Sequence, residues 1–310
     1  QIRTKLLPKR AIYAAPEEIL ITMGAQNGLY LIAAALMTVG LKVGVENPGY
    51  PDARNIFHLC GAALVPLEVD EDGVVVDEAL ATCQMVYVTP SHQYPTTVTL
   101  SADRRARLLE MATATDLLVI EDDFESDTNY TGEPVAALKS QDQGGRVIYV
   151  GSLSKSMFPG LRLGYIVAPE PLIQEMRALR RLMLRHAPSN NQRTTSLFIA
   201  QGYHQAYIRK LHKAYGDRWQ IMSRGLDHYL PGMTTVPSFG GTSFWIRGPE
   251  DLDAELLAEQ ARGQGIVLEP GSVHFMTPEE GKRYFRLGFS SIATARIEGG
   301  LEQLASLLNS

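Results

Sequence analysis

Cysteine is scarce in this chain, and so are long apolar runs. Cys60 and Cys83 are the only cysteines among 310 residues, too few for a disulfide framework and typical of the reducing cytosol. The longest apolar run, from Leu29 to Val39, is too short to cross a bilayer. The sequence therefore predicts a cytoplasmic protein that does not insert into a membrane.

Basic charge is also in short supply. The chain has 29 Lys and Arg residues against 34 Asp and Glu residues, for a net charge of −5, and no basic stripe stands out. These residues are therefore a poor candidate for gripping a nucleic-acid backbone by themselves. The remaining composition is ordinary, with 45% hydrophobic residues. That share and the length predict a large core, divided between two domains.

Short apolar runs alternate with helical patterns in the first half of the chain. A helical pattern follows the first run and extends to about Val39, and Ser101 is the predicted N-cap of another that extends to about Ala114. The strand-like runs are 18–22, 42–45, 63–67, 85–89, 117–120 and 147–150. This alternation predicts an α/β fold with a mostly parallel sheet.

The pattern changes from Pro171 onward. Long helical patterns come first, and shorter strand-like and helical patterns then alternate to the end of the chain. The helical patterns are 171–185, 192–230, 251–262 and 295–310, and the strand-like runs are 242–246 and 284–289. We expect a large domain over residues 1–225 and a smaller α+β domain over residues 226–310.

One segment just after a predicted buried strand combines an amine, hydroxyls and a guanidinium. It reads Ser152-Leu-Ser154-Lys155-Ser-Met-Phe-Pro-Gly-Leu-Arg162-Leu-Gly164. A lysine amine can form a Schiff base, whereas hydroxyls and a guanidinium can hold a phosphate. Pyridoxal 5'-phosphate (PLP) carries both an aldehyde and a phosphate, so this segment is a candidate site for it. On this segment alone, a solvated surface lysine is an open alternative.

Two other strand ends carry complementary groups, at the edge of an open α/β sheet where ligands bind. Gly24-Ala25-Gln26 follows the first strand-like run, and its backbone amides at a helix N-terminus would bind phosphate. Asp122 follows another run and would pair with the pyridine nitrogen of the cofactor. The alternative for Asp122 and its neighbours Glu121 and Asp123 is an ordinary acidic cluster.

Two further candidates lie outside these strand ends. Tyr50, in Asn-Pro-Gly-Tyr-Pro, would stack on the cofactor ring, although a half-buried tyrosine beside a Pro-Gly turn is the alternative. Arg286 lies in an apolar strand-like run, where a buried guanidinium needs a partner. A substrate carboxylate would supply that partner, and an internal Asp or Glu is the alternative.

Together these segments resemble the fold-type I PLP enzymes, class I/II aminotransferases, along essentially the whole chain. The match rests on the signature over 152–164 and on the upstream Glu-Asp-Asp. The resemblance implies a mixed, mostly parallel sheet sandwiched by helices, a smaller C-terminal α+β domain and a homodimer with its active sites at the subunit interface. It also implies roles for Lys155 as the internal aldimine, Asp122 at the ring nitrogen, Arg162 at the phosphate and Arg286 at the substrate α-carboxylate.

Finer details resemble the aminotransferase-like domains of MocR/GabR-type transcription regulators. The segment over 88–95, Val-Thr-Pro-Ser-His-Gln-Tyr-Pro, is similar to a motif of that branch, and Glu269-Pro-Gly-Ser-Val-His274 resembles a family loop near the ligand side chain. His274 is therefore a candidate ligand contact, with a surface histidine as the alternative. In these regulators a GntR-type winged helix-turn-helix precedes the domain. Because the chain starts at Gln1 without methionine, we expect it to be a fragment of such a protein.

Three positions depart from the pattern of free-standing aminotransferases. Tyr94 stands where an asparagine usually contacts the ring hydroxyl, Phe124 where a tyrosine usually does, and Thr97 where glycine is usual. His92 and Gln93 are candidates to replace those contacts. The departures favour ligand sensing over turnover.

Three functions therefore remain. The first is an effector-sensing domain, in which a small amino compound converts the internal aldimine at Lys155 to an external one and shifts a conformational equilibrium. The second is a working aminotransferase, with Lys155 as Schiff-base partner and proton shuttle. The third is a plain α/β binding domain with no cofactor. DNA would be bound only by a domain outside these residues.

Overall fold

An eight-stranded sheet forms the centre of the computed structural model, which describes residues 1–125, 127–130, 135–154, 157–234 and 240–308. Its strands are β1 (Ile19–Thr22), β2 (Lys42–Asn47), β3 (Ala63–Asp70), β4 (Gly73–Val74), β5 (Met85–Val88), β6 (Leu118–Asp123), β7 (Val147–Ser152) and β8 (Gly164–Val167). Their order is β1-β8-β7-β6-β5-β2-β3-β4. Strands β7, β6, β5, β2 and β3 are parallel, whereas β8 runs antiparallel between β1 and β7. The predicted mixed, mostly parallel α/β sheet is confirmed.

Helices cover both faces of this sheet. The helices of the chain are α1 (Ala25–Leu36), α2 (Pro51–Leu59), α3 (Glu78–Ala81), α4 (Ala102–Thr115), α5 (Glu170–Leu184), α6 (Ser189–Ala200), α7 (Tyr203–Tyr229), α8 (Ala254–Gly263) and α9 (Ile297–Leu308). Leu29, Phe57 and Met176, from α1, α2 and α5, share one core with side chains of the sheet, and Leu80 and Leu108, from α3 and α4, share another. Alternate strand residues belong to the two cores, so both faces are buried.

A second, smaller sheet packs with the C-terminal helices. Its antiparallel strands β9 (Ser243–Arg247), β10 (Glu269–Pro270) and β11 (Tyr284–Gly288) lie in the order β10-β11-β9. Their core includes Met222 and Leu226 from the end of α7, together with α8 and α9. Helix α7 therefore runs across the boundary expected at residue 225, and the division into two domains stays a prediction.

The sequence pattern was wrong about one long helix and missed three strands, β4, β8 and β10. The helical pattern over 192–230 is two helices, α6 and α7, because Gly202 adopts a left-handed φ of 80° that interrupts the helix. Strand β8 was not predicted, because it starts at Gly164, inside the signature that predicts a binding loop. Strands β4 and β10 have only two residues each, too few for a periodic pattern. Among the described residues, no helix is both long and apolar enough to cross a membrane.

Candidate cofactor and ligand site

A cavity of about 240 Å³ opens where the carboxyl ends of β6 and β7 meet the start of α1. Most of the candidate site residues line it, although they come from widely separated parts of the chain. Those residues are Ala25, Gln26, Tyr50, Asp122, Ser152, Ser154, Arg162 and Arg286. Tyr94 and Phe124, two of the three departures from the family pattern, line it as well, as does Tyr87, to which no sequence motif pointed.

The three acidic residues at the end of β6 have different partners. Successive side chains of a strand point to opposite faces, so Asp122 faces the cavity while its two neighbours point away from it. Glu121 accepts hydrogen bonds from the backbone N–H groups of Leu138 and Lys139, both at 2.7 Å. Asp123 accepts one from Arg10 Nε at 2.7 Å and one from the Tyr149 hydroxyl at 2.6 Å. The acidic-cluster alternative therefore describes Glu121 and Asp123, whose contacts are structural.

Asp122 has one carboxylate oxygen with a partner and one without. The Tyr87 hydroxyl donates to its Oδ2 at 2.9 Å, whereas Oδ1 is buried with no hydrogen-bond partner among the described residues. Burial raises the pKa of Asp122 from 3.8 to about 7. A buried carboxylate oxygen of this kind is suited to a cationic N–H donor, which would satisfy Oδ1 and lower that pKa again.

Arg162 and the start of α1 form a cradle for an anion. Gly24, the N-cap of α1, has a φ of 81°, and a Cβ there would lie 3.3 Å from Arg162 Nη2. Arg162 itself has a left-handed φ of 49°, which is costly for a side chain other than glycine or asparagine. The structure pairs its guanidinium with no carboxylate among the described residues. A guanidinium beside the free N–H groups of a helix N-terminus suits a phosphate.

Ser152 and Ser154 of the signature line the same cavity as this cradle. Ser152 Oγ accepts a hydrogen bond from the backbone N–H of Ser154 at 3.3 Å. Ser154 Oγ is buried and has no hydrogen-bond partner in the described part of the chain, so its hydroxyl is available to a bound anion. Lys155, the candidate Schiff-base residue, lies outside the described residues, and its role stays a prediction.

Aromatic rings form the wall of the cavity. Tyr94 is at the centre, with edge-to-face contacts to Tyr50 at 5.3 Å, to Phe124 at 5.9 Å and to His274 at 5.3 Å between ring centroids. The Tyr50 hydroxyl donates to Asp52 Oδ2 at 3.1 Å. Tyr50 is thus a fixed part of the cavity wall, and its stacking on a cofactor ring stays a prediction.

Arg286 has an internal partner. It lies opposite Glu269 in the β10–β11 pair, and its Nη1 donates to Glu269 Oε2 at 3.1 Å. Its guanidinium carbon also lies 5.1 Å from the centre of the Tyr94 ring, within cation–π range. The internal carboxylate considered as the alternative partner of Arg286 is therefore present, although the sequence analysis did not identify it as Glu269.

His274 is neither a surface residue nor part of the cavity lining. Its side chain is 0% exposed, its Nε2 lies 3.9 Å from Glu269 Oε2, and its ring stands against Trp245 at 5.5 Å. Burial lowers its pKa to about 4, so the imidazole is neutral at pH 7. The surface-histidine alternative is wrong, and a contact with the ligand stays a prediction.

The loop that carries the regulator-like motif is held by its own hydrogen bonds. The Gln93 amide donates to Pro48 O at 2.8 Å, and its Oε1 accepts from the Thr96 hydroxyl at 2.6 Å. Neither Gln93 nor His92 is among the residues that line the cavity. Thr97 has a φ of 66°, so it keeps the backbone conformation that glycine would adopt with less strain. Gln93 therefore stabilises the loop, whereas Tyr94 of the same motif lines the cavity.

Two curated relatives are named as regulators. The chain is 43% identical over 303 residues to the HTH-type transcriptional regulator TauR of Rhodobacter capsulatus, and the alignment covers 98% of the chain and 63% of that regulator. It is 31% identical to the probable rhizopine catabolism regulatory protein MocR of Rhizobium meliloti, over 97% of the chain and 61% of that protein. The chain thus spans about three fifths of the length of these relatives.

Similarity to a solved enzyme structure and to a family model extends over nearly the whole chain. LysN, the α-aminoadipate aminotransferase of Thermus thermophilus, was crystallised with N-(5'-phosphopyridoxyl)-L-leucine. It superposes with a TM-score of 0.89 at 28% identity, over 98% of this chain and 82% of that one. The family model described as aminotransferase class I and II matches residues 4–304. The chain therefore belongs to the class I and II aminotransferase family.

Proposed function

We propose that this chain is the effector-sensing domain of a MocR/GabR-type transcription regulator. It would bind PLP and respond to a small amino compound, while a winged helix outside these 310 residues would bind DNA. The names of the relatives TauR and MocR support the regulatory role. The chain covers 63% and 61% of their lengths, so each relative has a further segment outside the match that could hold a DNA-binding domain. The net charge of −5 also fits a domain that leaves DNA binding to another part of the protein.

The main support for the cofactor is that an anionic and a cationic group without ion-pair partners in the described residues share one cavity. Asp122 Oδ1 is buried without a partner there, and Arg162 lies beside the start of α1 with no carboxylate of the described residues opposite it. PLP supplies an aldehyde that joins amines covalently and a ring that withdraws electrons. Asp122 would hold the proton on the ring nitrogen, and Arg162, Ser152 and Ser154 would hold the phosphate.

Lys155 would carry the cofactor as an internal aldimine, and an amino effector would replace it as an external aldimine. The test is the absorption band of that linkage. The wild-type protein incubated with PLP should show the band, and Lys155→Ala should lack it. Lys210→Ala, which removes an exposed lysine from α7, is the matched control and should keep the band. A wild-type protein that stays colourless would contradict the proposal.

A working aminotransferase is the second candidate function. The similarity to LysN over 98% of the chain supports it. Tyr94 and Phe124 in the cavity wall support the sensor instead, because neither is the residue that usually contacts the ring hydroxyl. The protein should be mixed with an amino donor and a 2-oxo acid. A spectral change that persists while the 2-oxo acid is not converted to an amino acid supports the sensor. Rapid conversion of the 2-oxo acid to the amino acid supports the enzyme.

We also infer that the working unit is a homodimer, as the family resemblance implies. Sedimentation of the cofactor-bound protein tests this inference. A mass of twice 34.1 kDa is expected, and a single-chain mass at micromolar concentration would contradict it.

A further inference from the structure

Arg286, the proposed partner of a ligand carboxylate, already forms an ion pair with Glu269. Arg286 lines the cavity, and Glu269 Oε2 lies 3.1 Å from its Nη1. The two residues face each other across the β10–β11 pair, so the contact is built into the backbone register. A ligand carboxylate would therefore meet a guanidinium that already has a carboxylate partner.

Glu269 does not use all the donors of Arg286. The Nε is fully buried and has no partner among the described residues, and Nη1 donates to Glu269. Each Nη nitrogen carries two hydrogens, so donors remain for a second carboxylate. A ligand carboxylate that binds them while Glu269 stays in place lies beside a like charge, which opposes its binding.

Glu269 is the partner that can move. Its side chain is 44% exposed, whereas that of Arg286 is 17% exposed and lies over the Tyr94 ring. Water can therefore solvate the Glu269 carboxylate once it leaves Arg286. His274 Nε2, 3.9 Å from Glu269 Oε2, is beyond hydrogen-bond distance and does not hold it in place.

We propose that Glu269 is a specificity-determining residue that competes with the carboxylate of the ligand for Arg286. The internal carboxylate reduces the advantage of amino acids over simple amines at this site, because the carboxylate of an amino acid must displace Glu269 or bind beside its like charge. This inference rests on the proposed function, in which Arg286 receives the ligand carboxylate. Glu269→Gln keeps the shape of the side chain and replaces a charged hydrogen bond with a weaker neutral one.

The experiment compares two ligands that differ by one group. L-alanine and ethylamine are titrated into cofactor-bound wild-type protein and Glu269→Gln, and binding is followed by the absorption spectrum. The affinity for L-alanine should rise by about fivefold in Glu269→Gln, which corresponds to the largest contribution expected of a partly exposed ion pair. The affinity for ethylamine should stay the same. Glu259→Gln, which removes an exposed charge from α8, should change neither affinity.

An L-alanine affinity that is unchanged in Glu269→Gln would overturn the inference. A lower affinity would also overturn it, because Glu269 would then orient Arg286 or contact the ligand instead of competing with it. Propionate, which has a carboxylate and no amine, gives a separate readout in cofactor-free protein. Thermal protection by propionate should be greater in Glu269→Gln, and equal protection contradicts the competition even if no cofactor band is ever seen.

Discussion

The two ends of the cavity satisfy their charges in different ways. At the end formed by the large sheet, Asp122 Oδ1 is buried without a partner and Arg162 faces no carboxylate among the described residues. At the end formed by the small sheet, Arg286 is already paired with Glu269. A cofactor would therefore gain partners that are otherwise missing, whereas a ligand carboxylate would exchange one partner for another.

This difference predicts tight binding at one end and weak binding at the other. Satisfying a buried, unpaired group contributes more free energy than replacing an existing ion pair. A sensor requires this arrangement, because its cofactor must stay bound while its effector comes and goes with concentration.

The largest expected effect comes from Asp122→Asn. Without its negative charge, the affinity for PLP should fall by about 100-fold or more, as expected for breaking a buried charge pair. Titration of cofactor-free protein with PLP measures this. Asp123→Asn is the matched control one residue away. It should lower the melting temperature by leaving Arg10 without its ion pair, yet the folded fraction should bind PLP as the wild type does. Equal loss of PLP affinity in both variants would remove the distinction between these two carboxylates.

Arg162→Ala should have the next largest effect. Loss of charge-assisted hydrogen bonds to the phosphate is expected to weaken PLP binding by about 10- to 100-fold. Because Arg162 is exposed and has no ion pair in the described part of the chain, the melting temperature of the cofactor-free variant should match that of the wild type. Arg177→Ala, at an exposed position of α5, should alter neither property. Undiminished PLP affinity in Arg162→Ala would mean that the phosphate binds elsewhere.

Arg286→Ala tests the other end of the cavity. The affinity for L-alanine should fall by about tenfold, while PLP and ethylamine bind as before. Part of this loss would come from Glu269, whose charge would then face the ligand without a counter-ion. The double variant with Glu269→Gln should recover that part, measured by the same spectral titration. If PLP binding falls together with L-alanine binding, the two ends are not separate sites.

Sequence patterns sufficed for the parts of the fold that repeat a simple period. The apolar runs before Asp122 and Ser152 predicted β6 and β7, and the capping serine Ser101 predicted the start of α4, where its Oγ accepts from Arg104 N. Strand β8 was missed because it starts at Gly164, inside the signature that predicts a binding loop. Its position between β1 and β7 depends on tertiary packing.

Sequence motifs and strand ends predicted most of the site residues but not the residues that they contact. Six of the eight candidates that line the cavity follow a strand end or lie in the signature, and Tyr50 and Arg286 were identified from their local sequence context. The partner of Arg286 was left as an unspecified Asp or Glu, since the pairing of Glu269 with Arg286 depends on the register of two strands 17 residues apart. Burial of His274 in a segment that reads as a loop likewise had no sequence signal.

The smallest expected effect is a change in the pH dependence of stability, and it again separates the two ends. Burial raises the pKa values of Asp122, Glu46 and Glu121 to about 7 in the folded protein, well above their ordinary values near 4. Between those values the folded state binds more protons than the unfolded state, so cofactor-free protein should lose stability as the pH rises from about 4 to 7.

Asp122→Asn should make that loss shallower, by at most about 1.4 kcal/mol per pH unit. Bound PLP should act in the same direction on the wild type, because a cationic ring nitrogen beside Asp122 keeps the carboxylate ionised. Urea unfolding at several pH values, with and without PLP, measures both effects. If PLP leaves the wild-type slope unaltered, Asp122 does not face the ring nitrogen, and the unsatisfied end of the cavity binds something other than a cation.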